Sequence, residues 1–187
     1  ETSIVTIMES DIDDLDIGRI VEAVKFAAIP NIPIAYLLKK EEVSAIRLNI
    51  RNFNSDDWEY QSPKSVDDYV RNKPWQTQDV FINKKTGKKH GSLTHLYVTT
   101  EEAHEDYLRC KKDFEKIYGK LFAPNVGEES YGYVSPTKVE VVTFRTANML
   151  VTNCYYIRND RLSINNTEKT ARIIDRKIRT LISKKRH

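Results

Sequence analysis

The sequence predicts an α+β fold, and three observations carry that reading. Short runs rich in β-branched residues recur along the chain, three longer stretches repeat apolar residues at helical spacing, and Pro, Gly and charged turns separate them. With 187 residues, 40% apolar and 30% charged, the chain suits one domain spanning 1–187. That length buries a core without help from disulfides or metals, and the balance excludes disordered and fibrous classes.

Ser3–Met8 reads as a first strand. Asp14 or Asp16 caps a helix that carries Ile17, Ile20, Val21, Val24 and Ala28 on one face and stops at Pro30 and Pro33. Two strands are expected next, Ile34–Leu38 and Val43–Ile50, around the charged turn Lys39–Glu42. From Asn52 to Trp75 the pattern breaks down, and an irregular segment docking through Trp58, Tyr60, Tyr69 and Trp75 is expected. Asp79–Asn83 and Leu93–Val98 form a hairpin whose tip runs from Lys84 to His90. Thr99 and Glu102 have capping-box spacing, and the following helix places Ala103, Tyr107, Cys110, Phe114, Ile117 and Leu121 on one face.

Pro and Gly mark 123–135 as a linker. Lys138–Thr143 and Met149–Ile157 read as a strand pair joined through Arg145–Asn148. A last helix, capped by Thr167, keeps Ala171, Ile174, Ile178, Leu181 and Ile182 in register. The dipeptides Val98-Thr99 and Val151-Thr152 hint at an internal duplication.

Chemistry is sparse. The four histidines show no metal-ligand spacing, Cys110 and Cys154 belong to no CxxC or Cys/His cluster, and no glycine-rich phosphate loop or nucleophile elbow occurs. A metal nuclease would need converging carboxylates, for which Asp79 with Lys84, or Glu140, are the nearest candidates. The expectation is therefore a binding protein rather than an enzyme, with no cofactor and no catalytic or metal residues.

Nothing resembles a signal peptide or an apolar run long enough for a bilayer, so an intracellular setting, nuclear or cytoplasmic, with no membrane partner is expected. The chain begins with Glu1 rather than Met, as a fragment of a longer protein would.

Charge placement points to an anionic partner. The net charge is only +3, but Glu1, Glu9, Asp11, Asp13, Asp14, Asp16 and Glu22 crowd the beginning. Arg158, Arg161, Lys169, Arg172, Arg176, Lys177, Arg179, Lys184, Lys185 and Arg186 crowd the end against Asp160, Glu168 and Asp175, and a solvated helix face is the equal alternative to an anionic partner. Lys84, Lys85, Lys88 and Lys89 around Gly87 suit phosphate contacts that read no bases. A solvated turn is the plain alternative. A protein-interaction or assembly subunit that uses the aromatic segment 52–75 is the other class of function.

Phe144-Arg145-Thr146-Ala147-Asn148-Met149-Leu150-Val151-Thr152 resembles the strand–turn–strand of TATA-binding protein repeats, and Ala45–Arg51 resembles the second strand of such a repeat. The resemblance implies a curved antiparallel sheet with helices packed on one face, and 52–135 as an insertion holding the basic hairpin and one helix. It implies double-stranded DNA and transcription or assembly proteins as partners. A single repeat needs a second copy or a partner to complete a saddle. Phe144 would wedge between base steps, Val5, Val151 and Thr152 would face the groove floor, and Arg51 and Thr146 would approach the backbone. Ala147 stands in place of the turn glycine and Asn148 in place of the lysine, which puts DNA reading in doubt.

Overall fold

The computed structural model describes residues 32–53, 56–61, 75–156 and 164–186. The strand expected at Ser3–Met8, the helix through Ala28, Val5 and Tyr69 lie outside the described residues. Six strands form one antiparallel sheet: β1 (Trp58–Gln61), β2 (Trp75–Asn83), β3 (Lys89–Leu96), β4 (Glu129–Val134), β5 (Val139–Thr146) and β6 (Met149–Tyr156). Their spatial order is β1-β2-β3-β6-β5-β4, and every neighbouring pair is antiparallel. The sheet is thus two three-stranded meanders joined through their third strands, and each meander is followed by a helix. Segment 52–135 supplies β1 to β4, so it is not set apart from the sheet.

The two dipeptides that hinted at duplication are not equivalent positions. Val98-Thr99 enters a helix, whereas Val151-Thr152 lies inside β6.

Three short turns of helix precede the sheet, Ile34–Tyr36, Lys40–Glu42 and Ile50–Asn52, together with α1 (Val43–Ile46). The strands expected at 34–38 and 43–50 are therefore corrected to helical turns. Val43 and Ile46, three apart and both buried, sit one helical turn from each other rather than on the alternating period of a strand. A side-chain and backbone box between Lys39 and Glu42 starts the turn, with Lys39 N–H donating to Glu42 Oε2 at 2.8 Å.

α2 (Thr100–Tyr118) begins as the spacing predicts: the Thr99 hydroxyl accepts from Glu102 N–H at 3.2 Å. Glu102 Oε2 in turn accepts from Val98 N–H at 3.1 Å. The helix ends at Gly119, whose φ of +75° suits glycine. Ile117 is 68% exposed and Leu121 follows the helix, so its apolar face is shorter than expected. α3 (Ile164–Lys185) starts before Thr167, which lies within it and is fully buried instead of capping it.

The two helices cover opposite faces of the sheet. Val141 and Val142 are consecutive in β5 and so point to opposite sides. Val141 packs with Ala103 and Tyr107 of α2, while Val142 packs with Ala171, Ile174, Ile178 and Ile182 of α3. This corrects the expectation of helices on one face. On the α3 side, Leu37, Leu38, Val43, Ile46 and Leu48 complete the core.

The expected linker 123–135 contains β4. Gly132 reads as a loop residue, but the Phe122 ring lies against it so closely that a Cβ would stand 2.3 Å from Cζ. Glycine is needed there for close approach.

A two-residue turn, Ala147-Asn148, closes β5 onto β6. Ala147 has φ +52°, a position that favours glycine. The buried Asn148 holds the turn: its side chain accepts from Leu38 N–H at 3.1 Å and donates to Leu38 O at 3.0 Å and Tyr97 O at 2.8 Å. One amide thereby fastens the segment before α1 and the end of β3 to the same corner.

Ile178 is fully buried between the sheet and the 32–48 segment. Ile178→Ala is expected to cost about 2–5 kcal/mol in urea denaturation, whereas Arg179→Ala on the exposed side should change stability by less than about 1 kcal/mol.

Candidate nucleic-acid interface

The β2–β3 turn is built around Asn83. Its side-chain oxygen accepts from Lys85 N–H at 3.2 Å, Thr86 N–H at 3.0 Å and the Thr86 hydroxyl at 3.0 Å. Asn83 O accepts from Gly87 N–H at 2.8 Å, and Gly87 has φ +67°. These bonds fix the backbone from which Lys84, Lys85 and Lys88 project. Lys89 and His90 belong to β3 rather than to the tip, and His90 is only 1% exposed because its side chain points into the core.

The lysines are not an isolated positive patch. Lys85 Nζ lies 3.0 Å from Asp57, and Lys84 Nζ lies 3.9 Å from Glu59 on β1. Both lysines and Glu59 are exposed while Asp57 is half-buried, and pairs with exposed lysines of this kind are weak. Strand alternation sends Lys88 and Lys89 toward opposite sides of the sheet, and each lines a cleft at the foot of the turn.

The first cleft, about 240 Å3, is lined by Asn52, Phe53, Trp58, Asn83, Thr86, Lys88, His90, Tyr155, Lys169 and Thr170. Phe53 stacks on Trp58 at 4.6 Å between centroids, and its edge meets the His90 ring at 5.4 Å. His90 Nε2 bonds the Thr170 hydroxyl at 2.9 Å, while Nδ1 has no hydrogen-bond partner among the described residues. Burial pushes the His90 imidazole down to about 4, so it is neutral at pH 7.

The second cleft, about 760 Å3, lies on the other face where α2 does not reach. It is lined by Gln78, Val80, Gly87, Lys89, Gly91, Ser92, Leu93, Thr137, Thr152 and Cys154.

Under α3 the polar row continues inward from His90. Register sets His90 beside Tyr155 and Tyr155 beside Glu140. The Thr167 hydroxyl donates to Glu140 Oε2 at 2.6 Å, and burial raises the Glu140 carboxyl against that bond. Glu140 Oε1 and both side-chain polar atoms of the fully buried Asn153 lack hydrogen-bond partners among the described residues.

On the opposite face, Arg145, 1% exposed, bonds Glu128 at 2.7 Å and Glu129 at 2.5 Å, and His104 Nδ1 meets Glu129 at 2.8 Å. None of the clefts described here is lined by that network, which ties α2 to β4 and β5.

The residues implied by the family resemblance separate in space. Phe144 and Val151 are fully buried in the core beneath α3. A ring that wedges between bases must reach solvent, so the wedge and groove-floor roles for these two are withdrawn. Thr146 is buried too, and its hydroxyl donates to Asp175 Oδ1 at 2.7 Å. Thr152 lies on the open face and lines the larger cleft, where its hydroxyl meets Thr143 at 3.0 Å. Arg51 is exposed in a separate cleft with Arg47, Tyr60 and Lys177.

Asp79, a nuclease candidate, is held by Arg47 Nε at 2.9 and 3.0 Å, well away from pairing with Lys84. Among the described residues, no three His, Cys, Asp or Glu side chains converge as a metal site, and no helix is long and apolar enough to cross a membrane. Phe53 and Tyr155 escaped sequence reasoning, because nothing local links positions so far apart, and Lys169 is legible only as one of the basic residues near the end.

His90 gives the fold a pH dependence. Its folded pKa is depressed, so between about pH 6.5 and 4 the unfolded chain binds a proton that the folded chain refuses. Stability should fall as pH drops through that window, by up to roughly 3 kcal/mol, with Glu140 working in the opposite sense. Urea denaturation against pH should show that slope in the wild type and a flatter one in His90→Phe.

No family model, no curated protein and no solved structure matches this chain.

Proposed function

We propose that this chain binds nucleic acid without catalysis, through phosphate contacts made by Lys84, Lys85 and Lys88 of the turn and by Lys89 at its foot. The observation that carries the reading is a rigid lysine-bearing turn with a cleft on either side. Asn83 and Gly87 hold its backbone, and three of the four lysines are exposed. Pre-ordered cations lose less freedom on binding than a floppy basic tail. Such contacts strengthen binding to duplex DNA or to single strands without reading sequence.

A TATA-binding-protein-like origin for the 144–152 hairpin belongs to the same proposal. With Phe144, Thr146 and Val151 in the core, the contacts run through the turn and not through a groove-facing wedge. Thr152 and Lys89, at the open cleft, are the two residues through which that face would take part.

A second reading, a protein-interaction subunit, has one observation in its favour. The open cleft over β2 and β3 presents Val80, Leu93 and Cys154, a patch that suits an apolar partner.

Fluorescence anisotropy with labelled duplex and single-stranded DNA across a salt series separates the two. If all four lysines meet duplex phosphates, replacing them with Ala lowers the salt slope by roughly 3 to 4 and weakens binding at every sequence. Equal affinity and slope for wild type and variant would remove the lysine turn from the function. A variant carrying Arg176→Ala and Lys184→Ala, on the outer face of α3, should retain most of the binding.

A further inference from the structure

The aromatic cleft beneath the turn goes unused by the phosphate contacts of Lys84, Lys85 and Lys89, yet it has the features of a built pocket. Phe53, Trp58 and Tyr155 form its walls, and Lys88 and Lys169 line it from the turn and from α3. His90 contributes a neutral imidazole, almost wholly buried, with Nε2 occupied by Thr170 and Nδ1 without a hydrogen-bond partner among the described residues.

Aromatic walls favour a flat ring by stacking, a neutral imidazole nitrogen recognises a polar ring edge, and two ammonium groups favour an attached phosphate. At about 240 Å3 the pocket falls below the range of about 300–1,000 Å3 usual for drug-sized ligands, so it suits one ring rather than a dinucleotide.

We infer that this pocket receives a single unstacked nucleobase of a single-stranded nucleic acid, with the adjoining phosphate between Lys88 and Lys169. The inference rests on the nucleic-acid reading above and extends it. The turn lysines supply affinity along the backbone, and the pocket adds a stacking site that a duplex, with its bases paired inside, does not fill. The protein therefore prefers single strands to duplex of the same length. Stacking of one base carries a preference of about tenfold or somewhat more.

The chain has 2 tryptophans, so Trp75→Phe leaves Trp58, in the pocket wall, as the sole indole reporter. In that background, thymidine 5′-monophosphate and a short labelled oligothymidylate are titrated while Trp58 emission and anisotropy are followed. Both probes should change Trp58 emission. His90→Phe and Lys169→Gln should each weaken oligonucleotide binding about tenfold, while Arg176→Gln, an equal charge loss elsewhere on α3, should not. If His90→Phe does not fold, Lys169→Gln against Arg176→Gln decides.

Oligonucleotide binding that depends on the turn lysines but leaves Trp58 emission unmoved would overturn the pocket and spare the phosphate reading. Mononucleotide binding without oligonucleotide binding would overturn the single-strand inference together with the phosphate reading, leaving a site for a free nucleotide. Binding of neither probe would overturn both.

Discussion

The antiparallel pairing of β3 with β6 is the constraint on which the rest of the molecule depends. It joins the two meanders across a long stretch of chain, and only one register satisfies both faces. In that register His90 stands beside Tyr155, Ser92 beside Asn153, Thr94 beside Val151 and Leu96 beside Met149. One face then carries the core that α3 covers. The other presents Leu150 to α2, and Leu93 and Thr152 to the open cleft. A slip of one residue would exchange these sets and turn Phe144 and Val151 away from the core under α3. The same pairing brings the lysine turn, Tyr155 and the first turns of α3 together.

The sheet interior is unusually polar for a core of this size, and the polar groups fall into two kinds. Arg47 with Asp79, Arg145 with Glu128 and Glu129, and Asn148 with three backbone groups are mutually satisfied. Such pairs add little net stability but strongly disfavour alternative packings, because breaking one leaves a buried charge or amide alone. Lys185, which reaches Glu42 Oε2 at 2.5 Å and Leu37 O at 2.6 Å, fixes the end of α3 in the same manner. His90, Glu140 and Asn153 differ, since each keeps polar atoms without hydrogen-bond partners among the described residues. They gather along the α3 side of β3, β5 and β6, and His90 is the member that reaches a cleft.

Much of the fold was legible in the sequence. The hairpin of β2 and β3, the Thr99 cap, α2, the strand pair β5–β6 and the buried stripe of α3 all follow from apolar period and cap chemistry. Reading failed where one residue served two purposes. Gly132 looked like a linker residue because glycine usually marks loops, yet it makes room for Phe122 inside a strand. Val43–Ile50 looked like a strand because β-branched residues favour one, but packing on the sheet face selected a helical turn at Val43–Ile46. The likeness of 144–152 to a DNA-reading hairpin concerned a strand–turn–strand shape, and Ala147 and Asn148 hold that shape by means of their own: a positive φ and a buried amide clamp. For the site, the lysines were visible as a run. The pocket beside them was not, because Phe53, Trp58, Tyr155 and Lys169 meet only after the sheet and α3 have formed.

Backbone NOEs across the centre of the sheet test the account most directly. Cross-strand contacts from Ser92 to Asn153 and from Thr94 to Val151, in an antiparallel pattern, are what the two-meander sheet predicts. The same strands paired one residue out of step, or β6 paired with some other strand, would contradict it, and the pocket at His90 and Tyr155 would then not exist.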